Sequence, residues 1–392
     1  MQKEITYAVV LGGYINAYAI INELHKKGIQ EIALISYTKK IACFSNKIKK
    51  VCIIKQTTEN LSNCLMRLGK EVGKLILYPT DDWFLEQIVK IEPLIKDFTF
   101  IPFNTKNFNL TANKVIQYKY CEQLSVPYPR TIGIQNKTDW DSITKLAFPI
   151  IIKPSHREDL NQKIFRSKLI KDQEDLLLNI GSINLLLEEG VDFLASEVIP
   201  GSSNGNIYAY CSYVDENGNI LNEWGGRKLS QYPNDYGVFS SASNEVPEIV
   251  MQQGRSLVKG MNIHGFCEPE FKYDYRDGKY KLMEVNLRSM MWNEVGRLSG
   301  VNLHYTQWCY ARGEKPPVEL QNRKKPIVLI YYKHELINLF IRKNYWSTFK
   351  QICKKKNKYW AGIDLKDWKP FMHDLFHTLK LLILTLLKKK HA

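Results

Sequence analysis

CEPEFKYDYRDGKYKLMEVNLR, residues 267–288, holds two short runs in which bulky and polar residues alternate. CEPEFKYDY and KYKLMEV read as strands, and Arg276-Asp277-Gly278 between them is a good hairpin connection. Glu270 lies on the first strand and Glu284 with Asn286 on the second. Residues two apart in an extended segment project from one face, and the hairpin brings Glu270 back beside the other two. Two carboxylates and an amide oxygen on one face suit a hard cation such as Mg²⁺, which keeps water and phosphate oxygens as its other ligands. Arg288 falls on the same face by the same count and can neutralise a phosphate. The plainer reading is an exposed hairpin with solvated polar residues; the rest of the chain argues against it.

Outward from the hairpin, 392 residues are enough for two or three domains and a substantial core. The eight cysteines are scattered, with no C-x-x-C pair, and no secretory signal opens the chain, so reduced thiols in a cytoplasmic protein are expected. Residues 321–392 hold 17 Lys and Arg against 4 Asp and Glu, whereas the first 320 hold 38 against 36. A near-neutral body with a basic tail argues against nucleic acid as a partner of the body.

From the N-terminus, ITYAVVL, Gly12-Gly13, INAYAIINELHKKG and EIALIS read strand, turn, helix, strand, the opening of a parallel α/β sheet. G-G-x-x-x-A lacks the dinucleotide spacing, and no acid ends the second strand, so an NAD site is not expected. KLILYP is another buried strand. Thr80-Asp81-Asp82 after it can cap a helix beginning at Trp83, or contact a substrate at the carboxyl end of the strand. Residues 104–111 read as a boundary, followed by a helix with Asn113 and Lys114 at its start. FPIIIKP, 148–154, is an apolar strand ending in Lys153, which reads as a phosphate ligand because a lysine on a buried strand needs an anionic partner. DFLASEVIPG gives a further strand carrying Glu197. A hairpin about Glu216-Asn217-Gly218 follows, then a segment with Gly225-Gly226-Arg227-Lys228. VPEIVMQQGRSLVKGMNIHG is helical and leads into the 267–288 hairpin, and residues 288–314 are mainly helical.

This order of segments resembles the ATP-grasp superfamily, most closely carboxylate–amine ligases of the D-aspartate ligase and cell-surface polysaccharide kind. The resemblance runs over residues 1–313. It rests on NKVIQYKYCEQLSVPYPRT, FPIIIKP, SEVIPG, GGRKLSQYP, EPEFKYD with KYKLMEVNLR, and GVNLHY. It implies an N-terminal parallel-sheet domain (1–105) before a two-subdomain ATP-grasp domain (106–320). Within that domain the nucleotide-clamping part is 115–200 and the metal and catalytic part 201–313, and residues 321–392 form a basic helical C-terminal extension. Lys114 and Lys153 match the lysines that contact nucleotide. Ser196, Glu197, Val198 and Ile199 match the segment lining the adenine pocket, with the Val198–Ile199 backbone meeting the base edge. Glu270, Glu284 and Asn286 match the Mg²⁺ ligands, Mn²⁺ being an expected substitute, and Arg288 matches the arginine beside the reacting phosphoryl group. Arg227 and Lys228 are offered to acceptor or phosphate. Two departures stand out: Leu287 replaces the proline of Asn-Pro-Arg, and the lid after Lys153, Ser155 to Asp159, has no glycine, leaving His156 and Arg157 as candidates for phosphate.

The resemblance implies ATP-dependent amide formation through an acylphosphate. The substrates would be an amine or amino acid and a small-molecule or lipid-linked carboxylate, and a role in polysaccharide or cell-wall synthesis would follow. A non-catalytic ATP-binding scaffold is the alternative, and the intact acid set argues against it. No general base and no nucleophilic triad is visible. Beyond the resemblance, FMHDLFHTLKLLILTLL between lysine runs reads as an amphipathic helix too short in its apolar part to span a bilayer, which takes about 20 residues. It suits either the inner face of an anionic membrane or packing on the body.

Overall fold

The computed structural model describes residues 5–155, 165, 167–234 and 237–390, with side chains as far as Ile383. His156 and Arg157 of the expected lid lie outside the described residues.

The N-terminal unit runs β1 (Ile5–Leu11), α1 (Ile15–Lys26), β2 (Ile32–Ser36), β3 (Lys50–Ile53), α2 (Thr58–Val72), β4 (Gly73–Pro79), α3 (Asp82–Ile95) and β5 (Thr99–Phe100). Its strands form a parallel sheet in the order β3-β2-β1-β4-β5. Helices cover both faces, so β1 must be apolar throughout its interior; Ala8, Val9, Val10 and Leu11 are fully buried. Gly12 ends β1 with φ +128°, and a Cβ there would meet the Thr80 hydroxyl at 1.9 Å. That close approach draws the carboxyl ends of β1 and β4 together, and Thr80 Oγ1 donates to the Leu11 carbonyl at 2.7 Å.

Next come α4 (Phe108–Ala112), α5 (Lys114–Gln123), β6 (Thr131–Ile134), α6 (Trp140–Ile143), β7 (Ile150–Pro154), β8 (Lys168–Ile170), α7 (Gln173–Glu188) and β9 (Phe193–Glu197). The four strands make an antiparallel sheet in the order β6-β9-β7-β8 over its own apolar core of Ile134, Ile150, Ile152, Ile170 and Phe193.

The third sheet takes β10 (Ile207–Val214), β11 (Ile220–Tyr232), β12 (Val238–Ser243), β13 (Gly265–Asp274) and β14 (Lys279–Asn286), with α8 (Glu248–Gly260), α9 (Glu294–Leu298) and α10 (Leu303–Ala311). The 267–288 hairpin forms as its alternation demands, β13 and β14 pairing antiparallel around Tyr275–Gly278. Gly225 to Lys228 do not begin a new segment; they continue β11, which runs on for 13 residues.

The tail is more than helical. β15 (Val328–Ile330), α11 (Tyr332–Ile341), α12 (Tyr345–Lys354), β16 (Lys358–Trp360) and α13 (Trp368–Lys390) follow α10, and β15 pairs with β12. The sheet thus reads β14-β13-β10-β11-β12-β15-β16. Buried Glu335 on α11 fastens the tail: its carboxylate accepts from the hydroxyls of Ser230, Ser240, Ser241 and Tyr345 at 2.6–2.7 Å.

Candidate active site

Alternation on β13 places Glu268, Glu270, Lys272 and Asp274 on one face, and all four are buried. The register sets Glu270 opposite Glu284 and Glu268 opposite Asn286, so the expected donor set does share one face. The Asn286 amide lies 3.5 Å from Glu284. On the other side β13 pairs with β10, whose residues facing the acids are small: Ala209 opposes Glu270. Gly226 stands beyond Ala209 on β11, where a Cβ would strike the Ser243 carbonyl and Trp292.

Four cations converge on these acids. Lys228, on β11, sits 2.5 Å from Glu270, both side chains out of water. Burial raises the Glu270 pKa, with Glu284 adding to it and the ammonium opposing. Burial works against the Lys228 ammonium, but Glu270 and the neighbouring acids outweigh it and its pKa is raised. Lys114, the first residue of α5, reaches Glu284 at 3.4 Å; the helix is started by Asn113, whose side-chain oxygen Oδ1 accepts from the Val115 and Ile116 amides. Lys153, next to last in β7, lies beside them, its pKa lowered by burial although Glu284 pulls the other way. Arg288 holds Asp82 through Nε at 2.7 Å and a terminal nitrogen at 3.2 Å. Leu287, in the place of the proline, is buried in the apolar core, and the directions of Asn286 and Arg288 on either side are kept.

Arg227 is a correction. Consecutive strand residues face opposite ways, so when Lys228 points at Glu270, Arg227 points to the other side of the sheet. There it pairs with Glu245, which Lys355 of the tail also holds at 3.1 Å. Ser196 to Ile199 close β9 and the turn after it. The Ser196 hydroxyl accepts from Thr131 at 2.9 Å, and Glu197 accepts from the Ala147 amide at 3.0 Å. The Val198 amide donates to the Pro149 carbonyl, and the Ile199 carbonyl accepts from Lys272 at 2.8 Å. Those two backbone groups thus each have a partner within the chain.

The arrangement of three sheets is shared with solved enzymes. N5-carboxyaminoimidazole synthetase from Staphylococcus aureus superposes with a TM-score of 0.63 at 12% identity, over 84% of this chain and 82% of that one. The fold is the ATP-grasp fold. A biotin carboxylase domain from Hydrogenobacter thermophilus, solved with MgADP, ADP and bicarbonate, matches at 0.62 and 18% identity over 79% and 70% of the two chains. An L-amino acid ligase from Bacillus licheniformis matches at 0.58 and 13% over 83% and 79%. In sequence, the D-aspartate ligase of Enterococcus faecium (strain Aus0004) is 25% identical over 257 residues, 61% of this chain. The chain spans 60% of that relative's length. No family model matches the chain.

Three features of this site were not singled out in the sequence, and a fourth, Asp82, was left open there. Glu268, two residues before Glu270, is sealed in, accepting from Trp292 Nε1 at 3.1 Å and the Cys211 thiol at 3.3 Å. Burial first, and Glu270 second, push its pKa up to about 8. Lys272 ties the hairpin to the 199–201 turn through the Ile199 and Gly201 carbonyls. Alternation alone, E-P-E-F-K, could have found both. Asp82 answers the ambiguity at the end of β4: Asp81 caps α3 by accepting from the Phe84 amide at 3.1 Å, while Asp82 meets Arg288. Last, a serine, a histidine and a carboxylate do line up. His304 Nε2 lies 3.0 Å from the Ser289 hydroxyl and Nδ1 lies 2.8 Å from Glu23. All three are buried, and Glu23 also accepts from the His304 and Tyr305 amides. The trio is a joint between α1 and α10 that fixes the residue following Arg288.

Proposed function

We propose that the protein is an ATP-dependent carboxylate–amine ligase that forms an amide through an acylphosphate, releasing ADP and phosphate. The convergence of Glu270, Glu284 and Asn286 with Lys114, Lys153, Lys228 and Arg288 on one sheet face carries this reading. Carboxylate and amide oxygens are the donors Mg²⁺ takes, and Glu270, Glu284 and Asn286 would hold it, with Mn²⁺ as a substitute. Bound there with ATP, the ion would draw charge from the β- and γ-phosphate oxygens. The remaining work belongs to the chain. Lys114 and Lys153 neutralise phosphate oxygens, and residues 196–199 line the base. Lys228 opposes the burial that favours a neutral Glu270 and keeps it aimed at the site. Arg288, oriented by Asp82, meets the phosphoryl group as it passes to the acid, so fixed cations stand where charge develops. The amine then attacks the acylphosphate carbon and inorganic phosphate leaves.

The D-aspartate ligase relative supports amino acids as one substrate class. The partner acid would be a uronic acid or another carboxylate of cell-surface polysaccharide or cell wall, small or lipid-linked. The basic tail would bring a cytoplasmic enzyme to the inner face of the membrane. Residues 1–105 would supply the acceptor side, 106–320 the nucleotide and metal side, and 321–392 the attachment.

The test is a phosphate-release screen of amino acids against uronic acids and sugar nucleotides with Mg²⁺ and ATP. Release is expected only when both an acid and an amine are present, and Glu284→Gln should lower it at least ~100-fold with the fold intact. ATP binding with no release across the screen, and an unaffected Glu284→Gln protein, would favour a scaffold.

A further inference from the structure

α13 presents two unlike faces. Inward, Asp374 accepts from the Tyr331 and Tyr332 hydroxyls at 2.8 and 3.0 Å and pairs with Lys333 at 2.7 Å. Outward, Trp368, Met372, Phe376, Leu379 and Ile383 are 57, 48, 73, 47 and 57% exposed. At 3.6 residues per turn these five fall within about 80° of arc, one unbroken apolar stripe. Exposed Lys369 and Lys380 edge it, and Lys366 stands just ahead of the helix.

The charge around the stripe has a single sign for a structural reason. Each acid of residues 321–392 is turned inward and bonded. Glu335 takes its four hydroxyls, Asp364 pairs with Lys47 at 2.6 Å, and Asp367 holds Ser45 and the Asn46 amide. Asp374 is spent on the tyrosines and Lys333. Lys366, Lys369 and Lys380 are left facing water. Beside the stripe, between α11, α12 and α13, lies a cavity of about 320 Å³ lined by Leu336, Leu339, Phe349, Trp360, Phe371 and Leu375. Its lining is almost wholly apolar, its volume is within the range of small-molecule sites, and Trp360 at its rim is 42% exposed. Among the described residues no helix is long and apolar enough to cross a membrane.

We propose that α13 is an interfacial lipid-docking element. It lies along an anionic bilayer with the stripe at the acyl boundary and the lysines at the headgroups, while the cavity takes one acyl chain of a phospholipid from that leaflet. This deepens the membrane part of the proposed function and does not depend on the ligase chemistry. A basic patch complements anionic headgroups, and a narrow apolar stripe on a helix that cannot span fits the plane of the interface.

The experiment is co-sedimentation of the full chain with phosphatidylcholine vesicles, with and without phosphatidylglycerol. Partition should favour the anionic vesicles at least ~10-fold and weaken with salt. Met372→Glu with Phe376→Glu, both at exposed positions, should lower it at least ~10-fold, and each of Lys366→Gln, Lys369→Gln and Lys380→Gln about fivefold. Phospholipids brominated on the acyl chain should quench tryptophan fluorescence, less so in Trp360→Phe. Partition indifferent to these variants, or no partition together with a concentration-dependent dimer that Phe376→Glu dissolves, would overturn the proposal; unchanged quenching in Trp360→Phe would remove the cavity from it. Phosphate release measured on the same samples without vesicles reports separately on the ligase reading.

Discussion

β1 and β13 are both sunk in the protein, yet one is ITYAVVL and the other GFCEPEFKYD. From Ala8 to Leu11 in β1 nothing but backbone needs a partner, and the neighbouring parallel strands provide one. In β13 every second residue from 268 to 274 is charged, and each has been given a specific companion. These are Trp292 and Cys211 for Glu268, Lys228 for Glu270, two carbonyls for Lys272, and Arg276 with Lys281 for Asp274. Burying apolar surface stabilises by itself, whereas burying charge costs several kcal/mol unless it is matched. One strand therefore supports the fold and the other stores charge for use.

The comparison can be broken at β1. Val9→Asp places a carboxylate at a fully buried site with no companion, and should cost at least ~4 kcal/mol; soluble yield and thermal unfolding would show loss of the folded state. At β13 the same logic runs in reverse. Lys228→Met removes a companion and should cost about 3–5 kcal/mol, because Glu270 is left buried without its counter-charge. The cost should shrink as the pH is lowered and Glu270 takes up a proton, which denaturation over a range of pH would register. Glu268→Gln sharpens the point through its pH dependence. The Glu268 pKa rises from an ordinary 4.5 to about 8 on folding. Between those values the unfolded chain has lost the proton and the folded one keeps it, so wild-type stability falls as pH climbs through that window. The glutamine protein lacks that loss, and its stability relative to wild type should rise from pH 4.5 to 8 and level off above. A flat difference would mean Glu268 is ionised in the fold.

Legibility in the sequence followed the range of the interaction. The hairpin, its shared face, the start of α5 at Asn113-Lys114 and the apolar strand before Lys153 all rest on neighbours a few residues apart, and they were readable. The opposition of Arg227 and Lys228 follows from strand alternation once Gly225-Gly226 is seen to continue β11, packed beneath Trp292. That Lys228 belongs to Glu270 depends on β10 lying between their strands, and Asp82 reaches Arg288 across 206 positions; neither pairing leaves a local pattern. Likewise β15 and β16 are three residues each, too short for any period to appear, so the tail read as helical when it also extends a sheet.

The joint of Glu23, His304 and Ser289 gives the first ninety residues an unexpected standing. Asn16 of α1 donates to the carbonyls of both Thr80 and Ser289, and Gln307 of α10 donates to Leu77. Cutting away that opening module would not trim a detachable appendage. It would take the counter-ion from Arg288 and the floor from the loop that carries it, and the remaining three-quarters would be left with an arginine free to point anywhere.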